Sequence, residues 1–544
     1  MLVKGKDDKL EAGLRASSSS RAIPNDAGGF AYAIMFAQGI GQLFPWNAFI
    51  TAALYFGQRF CVTNFRYDFE NYLSISFTAS QTIGLAVSVL YANKLSYHDK
   101  IVYPLIIYAL LFALTTAFVL VPGIEGNALF WFTLSCCIGC GLAGALLSAG
   151  FFSLSGLFPP KYTGAMMSGQ GLAGLTVSLT NLITQAVQPL PASFCNAGTQ
   201  STPEPCSDYS VNYSAFAYFL ISTLVLCLCL VLFFVLMKLP FTIFYLRGAG
   251  QLKREVGAVE EPLLEANAFE SGPDTPGDDS HGTGSSHYTS KLGLSGILKR
   301  NQNQHTLLPD DEPTNSAAVN PILIDKLKVV PFNESRIMAN ESDHESSKSS
   351  KMAESMGITT LGNIMGVFRT IKIPALTVFS VFAVTLGLFP ALTITVVSSQ
   401  HCTEGATRAQ NDLFVPILFL LFNLGDFSGR VIAGNTQRTF LTPENIHWAA
   451  VARLAFVPLF LMTNISGSQV PTVFTSDAFP VIFMLLLALS NGYVSSCCMM
   501  MGPSMVDPSD APMAGNIMVF LLTSGLMCGS ILSFVVTYIS QGHM

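Results

Sequence analysis

The sequence predicts an all-α polytopic membrane protein, and three observations carry that prediction. Half of its 544 residues are hydrophobic and only 11% are charged, where soluble domains carry about 25%. The mean hydropathy is +0.48 even with a long polar insert averaged in. Apolar runs of about 20 residues, the length that crosses a bilayer core, recur eleven times along the chain. The net charge of −6 marks no partner, because the acidic residues concentrate in the polar insert. No basic stripe with interleaved aromatics is present, which argues against nucleic-acid binding.

Taken in order, residues 1–28 are polar and carry Lys4, Lys6, Lys9, Arg15 and Arg21. No apolar stretch or small-residue cleavage site precedes the first run, so removal of a signal peptide is not expected. The first six runs are 29–56, 71–93, 101–122, 128–157, 163–188 and 213–239. Five more follow at 373–398, 413–434, 447–464, 478–501 and 512–539. The run 163–188 is the most polar, and its Ser168, Gln170, Asn181 and Gln185 mark it as internal to a bundle. Residues 241–371 are rich in Ser, Asp, Glu, Pro and Asn without a sustained apolar period, too little apolar surface to offset the entropy of ordering. The expected organisation is a cytosolic tail (1–28), a six-span half (29–240), a disordered cytosolic linker (241–371) and a five-span half (372–544). Within the linker, Glu260-Glu261-Pro262-Leu263-Leu264 is similar to an acidic dileucine sorting signal with its spacer one residue short. Trafficking or kinase partners, if any, are expected there.

Basic residues set orientation. The tail, Lys161, Arg247, Lys253, Arg254, Arg369, Lys372 and Arg438 fall on one side, read as cytosolic. Cys61, Cys195, Cys206, Cys402 and the sequons at Asn212 and Asn464 fall on the other. The expected topology has a cytosolic N-terminus and an exoplasmic C-terminus, with glycans at Asn212 and Asn464. Cys195 and Cys206 share a short exoplasmic loop and are expected to form a disulfide, with Cys61 and Cys402 as a second pair. Cys136, Cys137 and Cys140 form a CCxxC, but no His or Cys cluster elsewhere completes a metal site. They read as thiols packing between helices. Gly139, Gly141 and Gly144 have GxGxxG spacing inside an apolar span, which reads as close helix packing and not as a dinucleotide loop. Neither a metal nor a cofactor is expected, and no Walker motif or paired catalytic constellation suggests an enzyme.

The chemistry concentrates in 413–434, LFVPILFLLFNLGDFSGRVIAG. Asn423, Asp426 and Arg430 stand at i, i+3 and i+7, on one helix face. A charge at the centre of a membrane helix costs about 2.5–3.5 kcal/mol on insertion scales, so these residues face protein or water. Either they line a path for a polar solute, or they form an ion pair that pins the bundle. The first run holds Gly39-Ile40-Gly41-Gln42-Leu43-Phe44-Pro45-Trp46-Asn47, where Pro45 frees the Gly41 carbonyl. Trp46 offers a flat face and Asn47 a donor–acceptor amide, the pair of features a nucleobase needs; the alternative is a kinked span with an interfacial anchor. Gly387-Leu388-Phe389-Pro390 interrupts the seventh run in the same way. Interruptions at the start of both halves point to a midplane site.

PWN at Pro45–Asn47, MSGQGLAG at 167–174, FNLGDFSGR at 422–430, RLAFVPLFLMTN at 453–464 and SNGY at 490–493 together resemble the equilibrative nucleoside transporter family. The resemblance covers nearly the whole chain outside the tail and linker. It implies a two-bundle, major-facilitator-like 6+5 fold with alternating access, and a substrate site of Leu43, Trp46, Asn47, Ile50, Phe389, Phe419 and Asn423. Asp426 and Arg430 match the family's charged ribose anchors. Where relatives carry a glutamine in span four this chain has Ser148. Gln170 and Trp46 depart from the monoamine-carrying branch and favour neutral nucleosides. The implied function is facilitated diffusion of nucleosides, possible nucleobase transport included; the alternatives are a proton-coupled symporter and a polyspecific organic-cation carrier. A plasma-membrane location is expected, with endosomal or lysosomal membranes as the alternative.

Overall fold

The computed structural model describes residues 24–60, 63–65, 69–91, 95–121, 126–187, 195, 213–248, 345–435 and 441–542. Long helices dominate. They are α1 (Phe30–Thr51), short α2 (Ala53–Arg59), α3 (Phe69–Leu90), α4 (Tyr103–Val119), α5 (Asn127–Leu157), α6 (Pro160–Val187) and α7 (Tyr213–Lys238). After the linker come α8 (Glu345–Leu388), α9 (Phe414–Asn435), α10 (Ile446–Arg453), α11 (Phe456–Leu461), α12 (Ala478–Ser504) and α13 (Ala511–Gln541). Among the described residues, eight helices are long and apolar enough to cross a membrane. All eight of these apolar stretches lie in one compact unit, residues 1–260 and 354–544, while 261–353 form a second.

The outer surface suits lipid. On α7, Leu224, Leu228, Val231 and Phe234 are all exposed, a patch that would drive aggregation in water. Inward faces are held close by missing side chains. A Cβ on Gly39 would collide with the Met166 carbonyl, and one on Gly169 with the Phe36 carbonyl. The α1 and α6 backbones therefore touch, as small-residue crossings in membranes allow. Pro45 lies inside α1 without ending it. Cys229 of α7 packs against Gly41, beside the carbonyl that Pro45 frees.

Helices α5 and α6 of the first half meet α9, α12 and α13 of the second. At one end of this seam, called the near end because α1 starts there, contact is backbone to backbone. Gly164 faces Gly434, and Gly156 faces the Ala511 carbonyl. Ser153 donates to the Pro512 carbonyl (3.1 Å) and lies 2.7 Å from Asn516 Oδ1. One hydrophobic core runs through both halves here. At the far end the second half has its own core, with Leu388, Phe414, Leu418, Phe460 and Leu487. The seam is thus packed at one end and divided at the other.

Four sequence expectations change. The expected linker runs to 371, but α8 begins at Glu345, and 240–248 is also helical. The run 447–464 is two short helices parted at Leu454–Ala455, because the Pro458 ring clashes with the carbonyl four residues back. Pro390 bounds α8 at Leu388 and does not kink a longer helix. Cys195 is bonded to Cys402, with Cα atoms 5.4 Å apart, and so not to Cys206. The reason is spatial: the end of α6 lies beside the loop after α8, where Arg408 donates to the Gln185 and Ala186 carbonyls at 2.9 and 2.8 Å. Cys61, Cys206 and Asn212 lie outside the described residues. At Asn464, the amide nitrogen that would carry a glycan already donates to the Val397 and Ser398 carbonyls, 3.2 Å each.

Candidate functional site

Helix α9 carries Phe419, Asn423, Asp426 and Arg430 at spacings of four, three and four, one continuous stripe. Arg430 Nε donates to Asp426 Oδ2 at 2.7 Å. Asn491 Nδ2 of α12 donates to Asp426 Oδ1 at 2.6 Å. That contact exists because Gly492 has no Cβ: one there would collide with the Asp426 carbonyl. Asn491 Oδ1 is 2.8 Å from Thr385 Oγ1 on α8, which accepts from Arg453 Nη2 at 2.5 Å. Arg453 Nη1 donates to the Leu487 carbonyl at 2.8 Å and to Ser490 Oγ. Asp426, Arg430 and Arg453 are 7, 5 and 2% exposed, a burial that such charges tolerate only when paired and hydrogen-bonded.

The network crosses the seam. Arg430 Nη1 donates to the Met167 carbonyl (3.2 Å) and to Gln170 Oε1 (3.4 Å). Gln170 Nε2 donates to Gln42 Oε1 of α1 at 3.2 Å, and Gln42 Nε2 lies 3.3 Å from Met166 Sδ. Gly171 makes room: a Cβ would meet Arg430 Cδ at 2.9 Å and the Phe427 Cα at 3.1 Å. Six helices thus contribute to one polar chain. Two of its guanidinium nitrogens have no partner among the described residues: Arg453 Nε, which is fully buried, and Arg430 Nη2, which is not.

Aromatic rings stand on either side. Trp46 stacks on Phe77 of α3, centroids 4.2 Å apart and planes 15° apart. In the other half Phe389 stacks on Phe422 at 3.9 Å and 12° and tilts against Phe419 at 4.6 Å. No ring contact joins Trp46 to Phe389 or Phe419 among the described residues. Leu43, Trp46 and Asn47 are half-buried on one face of α1; the side chain of Ile50 lies outside the described residues. Asn423 Nδ2 donates to the Phe419 carbonyl at 2.9 Å. Ser148 is buried on α5 and makes no hydrogen bond to a described residue.

Several partners in this network carry no expectation from sequence. Asn491 stands inside SNGY, a lone amide in an apolar run, and asking which polar group answers Asp426 would have found it. Arg453, a lone cation in another such run, is expected from sequence only as a structural residue that fixes the end of its span. Thr385 and Phe77 carry no signal, since threonine and phenylalanine are ordinary in such helices.

A family model described as "Nucleoside transporter" matches residues 134–295 and 326–538. Among curated proteins, "Equilibrative nucleoside transporter 1" of Mus musculus is 28% identical, covering 94% of this chain and 98% of its own length. "Equilibrative nucleoside transporter 2" of Rattus norvegicus is 28% identical over 92% of this chain and 95% of its own. "Equilibrative nucleotide transporter 8" of Arabidopsis thaliana is 22% identical over 94% and 96%. Among solved structures, the major facilitator superfamily proton:xylose symporter XylE superposes with a TM-score of 0.50 at 11% identity, covering 94% of this chain and 88% of that one. That likeness shows the fold: an all-α, polytopic, major-facilitator-like bundle.

Proposed function

The chain belongs to the nucleoside transporter family, and we propose that it carries nucleosides down their gradient by alternating access between its two halves. It is a transporter and not an enzyme. In this reading eleven spans divide as 29–240 and 372–544, joined by a segment that is helical at 241–248 and 345–371. The near end is cytosolic, the far end exoplasmic, and the membrane is the plasma membrane. A seam packed at the near end and divided at the far end fits the outward-facing state, and rocking about the site exchanges the two.

The observation that carries the reading is Arg430 Nη2, a guanidinium nitrogen on the seam that has no partner among the described residues and, unlike Arg453 Nε, is not fully buried. Asp426 holds the guanidinium by its Nε edge, leaving Nη2 to donate to a ribose oxygen. The carboxylate accepts from Arg430 and Asn491, so its part is chiefly to aim the guanidinium. Sugar binding near Asp426 exchanges one of those donors for a hydroxyl. Trp46 and Phe77 supply the apolar face for the base, with Phe389 and Phe419 on the opposite half.

Uptake of labelled adenosine and uridine into liposomes holding purified protein tests this. Asp426→Ala leaves two buried guanidiniums without their anion, a loss of about 3–5 kcal/mol for one partner of such a pair, and uptake should fall at least twentyfold. Uptake at the wild-type rate would remove Asp426 from the site. Imposing a proton gradient, with and without a protonophore, separates equilibrative from proton-coupled carriage. Competition by a monoamine separates both from an organic-cation carrier.

A further inference from the structure

We infer that Gln81 of α3 reads the edge of the nucleobase and sets base preference in this chain; the inference rests on the nucleoside reading above. The Trp46–Phe77 stack fixes α1 against α3. Helix α3 runs antiparallel to α1, since Phe69 at its start packs beside Phe60 of the turn after α2, centroids 5.4 Å apart. Moving one turn from the ring pair toward the near end leads to Gln42 on α1 and Gln81 on α3, each about 6 Å along its axis. Two amides therefore stand beneath one aromatic platform.

They differ in what they are bonded to. Gln42 is committed to Gln170 and Met166. Gln81 has no hydrogen bond to any described residue, and neither of its amide atoms is among the fully buried unpaired ones. It does not face lipid: exposed Ile83, Val87 and Leu90 mark that side of α3, about 180–240° around the helix from Gln81. It faces α5 instead, where a Cβ on Gly144 would stand 3.9 Å from Gln81 Nε2. The glycine leaves the amide uncovered. One turn beyond Gly144 is Ser148, also without a hydrogen bond to a described residue.

An amide with no hydrogen bond to a described residue and atoms that are not fully buried is free to bond a ligand that offers an acceptor beside a donor. Nucleobase edges have that pattern, and glutamine pairs with adenine in two-point fashion elsewhere. Ser148 has one short hydroxyl; Gln81 has the reach and both functions.

The test compares KM for adenosine, uridine and benzimidazole riboside, whose six-membered edge has neither donor nor acceptor. Purified wild type and Gln81→Met, similar in volume but without hydrogen bonds, are assayed in liposomes. Losing one net hydrogen bond of about 1–1.4 kcal/mol should raise KM for adenosine and uridine about five- to tenfold. Benzimidazole riboside should change less than twofold. An equal shift for all three, or none, overturns the inference. If Gln81→Met does not yield folded protein, Gln81→Asn, shorter by one methylene, is scored on the same panel: a rise confined to adenosine and uridine supports the inference, and an equal shift or none overturns it. Wild type that carries none of the ribosides defeats the nucleoside reading itself; wild type that carries them, with variant selectivity unchanged, defeats only the role of Gln81.

Discussion

The two ends of the seam between the halves are held by opposite means. At the near end, glycines 156, 164, 434 and 515 bring helices together without intervening side chains, and one core spans both halves. At the far end the cores are separate, and the described links are the Cys195–Cys402 bond and Arg408 on the last carbonyls of α6. A backbone contact is lost within a fraction of an ångström. A loop cystine and a long arginine can swing with the loops that carry them. On the proposed alternating-access reading, the near end would therefore open all at once, while the far end is a tether that permits travel.

Three experiments break or sharpen that contrast. The largest effect belongs to Gly515→Leu, whose new side chain would collide with the Phe152 carbonyl. No rotamer relieves a clash with backbone, and overpacking costs of about 1–3 kcal/mol shift the balance of states by roughly five- to 150-fold. Nucleoside uptake should fall at least fivefold at equal protein; near-normal uptake would mean that the near end is not a tight closure. Next is Cys402→Ser, which removes a cross-link spanning 207 positions. Thermal stability should fall, with about 2–4 kcal/mol at stake, yet uptake should stay within about threefold, as a tether allows. Abolished uptake in stable, correctly inserted protein would make the far end a rigid part of the site.

Arg408→Gln should have the smallest effect. Its side chain also pairs with Asp412 at 2.5 Å but is partly exposed, and such pairs are screened by salt. Uptake should change by no more than about twofold, and less at high ionic strength. The hydrogen bond that Arg408 donates to Asp412 raises the Arg408 pKa above its already high ordinary value. A raised arginine keeps its contribution until pH passes that value, so the difference between variant and wild type should be flat from about pH 5 to 9. A slope in that window would indicate that another group titrates beside Arg408.

The helices were legible because lipid imposes long apolar runs, and the Asp426–Arg430 pair because i, i+4 spacing on one helix leaves little else for them to do. Pro458 announced the break in its span through local sterics, though the apolar run around it masked the signal. The cysteine pairing was not legible. Cys195 lies eleven residues from Cys206 in sequence, but the partner is chosen by where α6 ends, a property of the whole bundle. At Asn464 a three-residue motif suggests a glycan, whereas the surroundings have already engaged the amide. Gln81 stayed hidden because its meaning depends on Phe77 one turn away and on a glycine in another helix.

Arg453 also constrains how the protein is made. Its short helix α10 leaves the ribosome before α12, whose Leu487 carbonyl and Ser490 hydroxyl receive the guanidinium. Thr385, the earlier partner, serves only one of its terminal nitrogens. Lodged alone among acyl chains, that cation would face the insertion penalty of about 2.5–3.5 kcal/mol. The α10–α11 segment therefore has reason to linger at the insertion machinery until α12 is synthesised, so that the two enter the bilayer together.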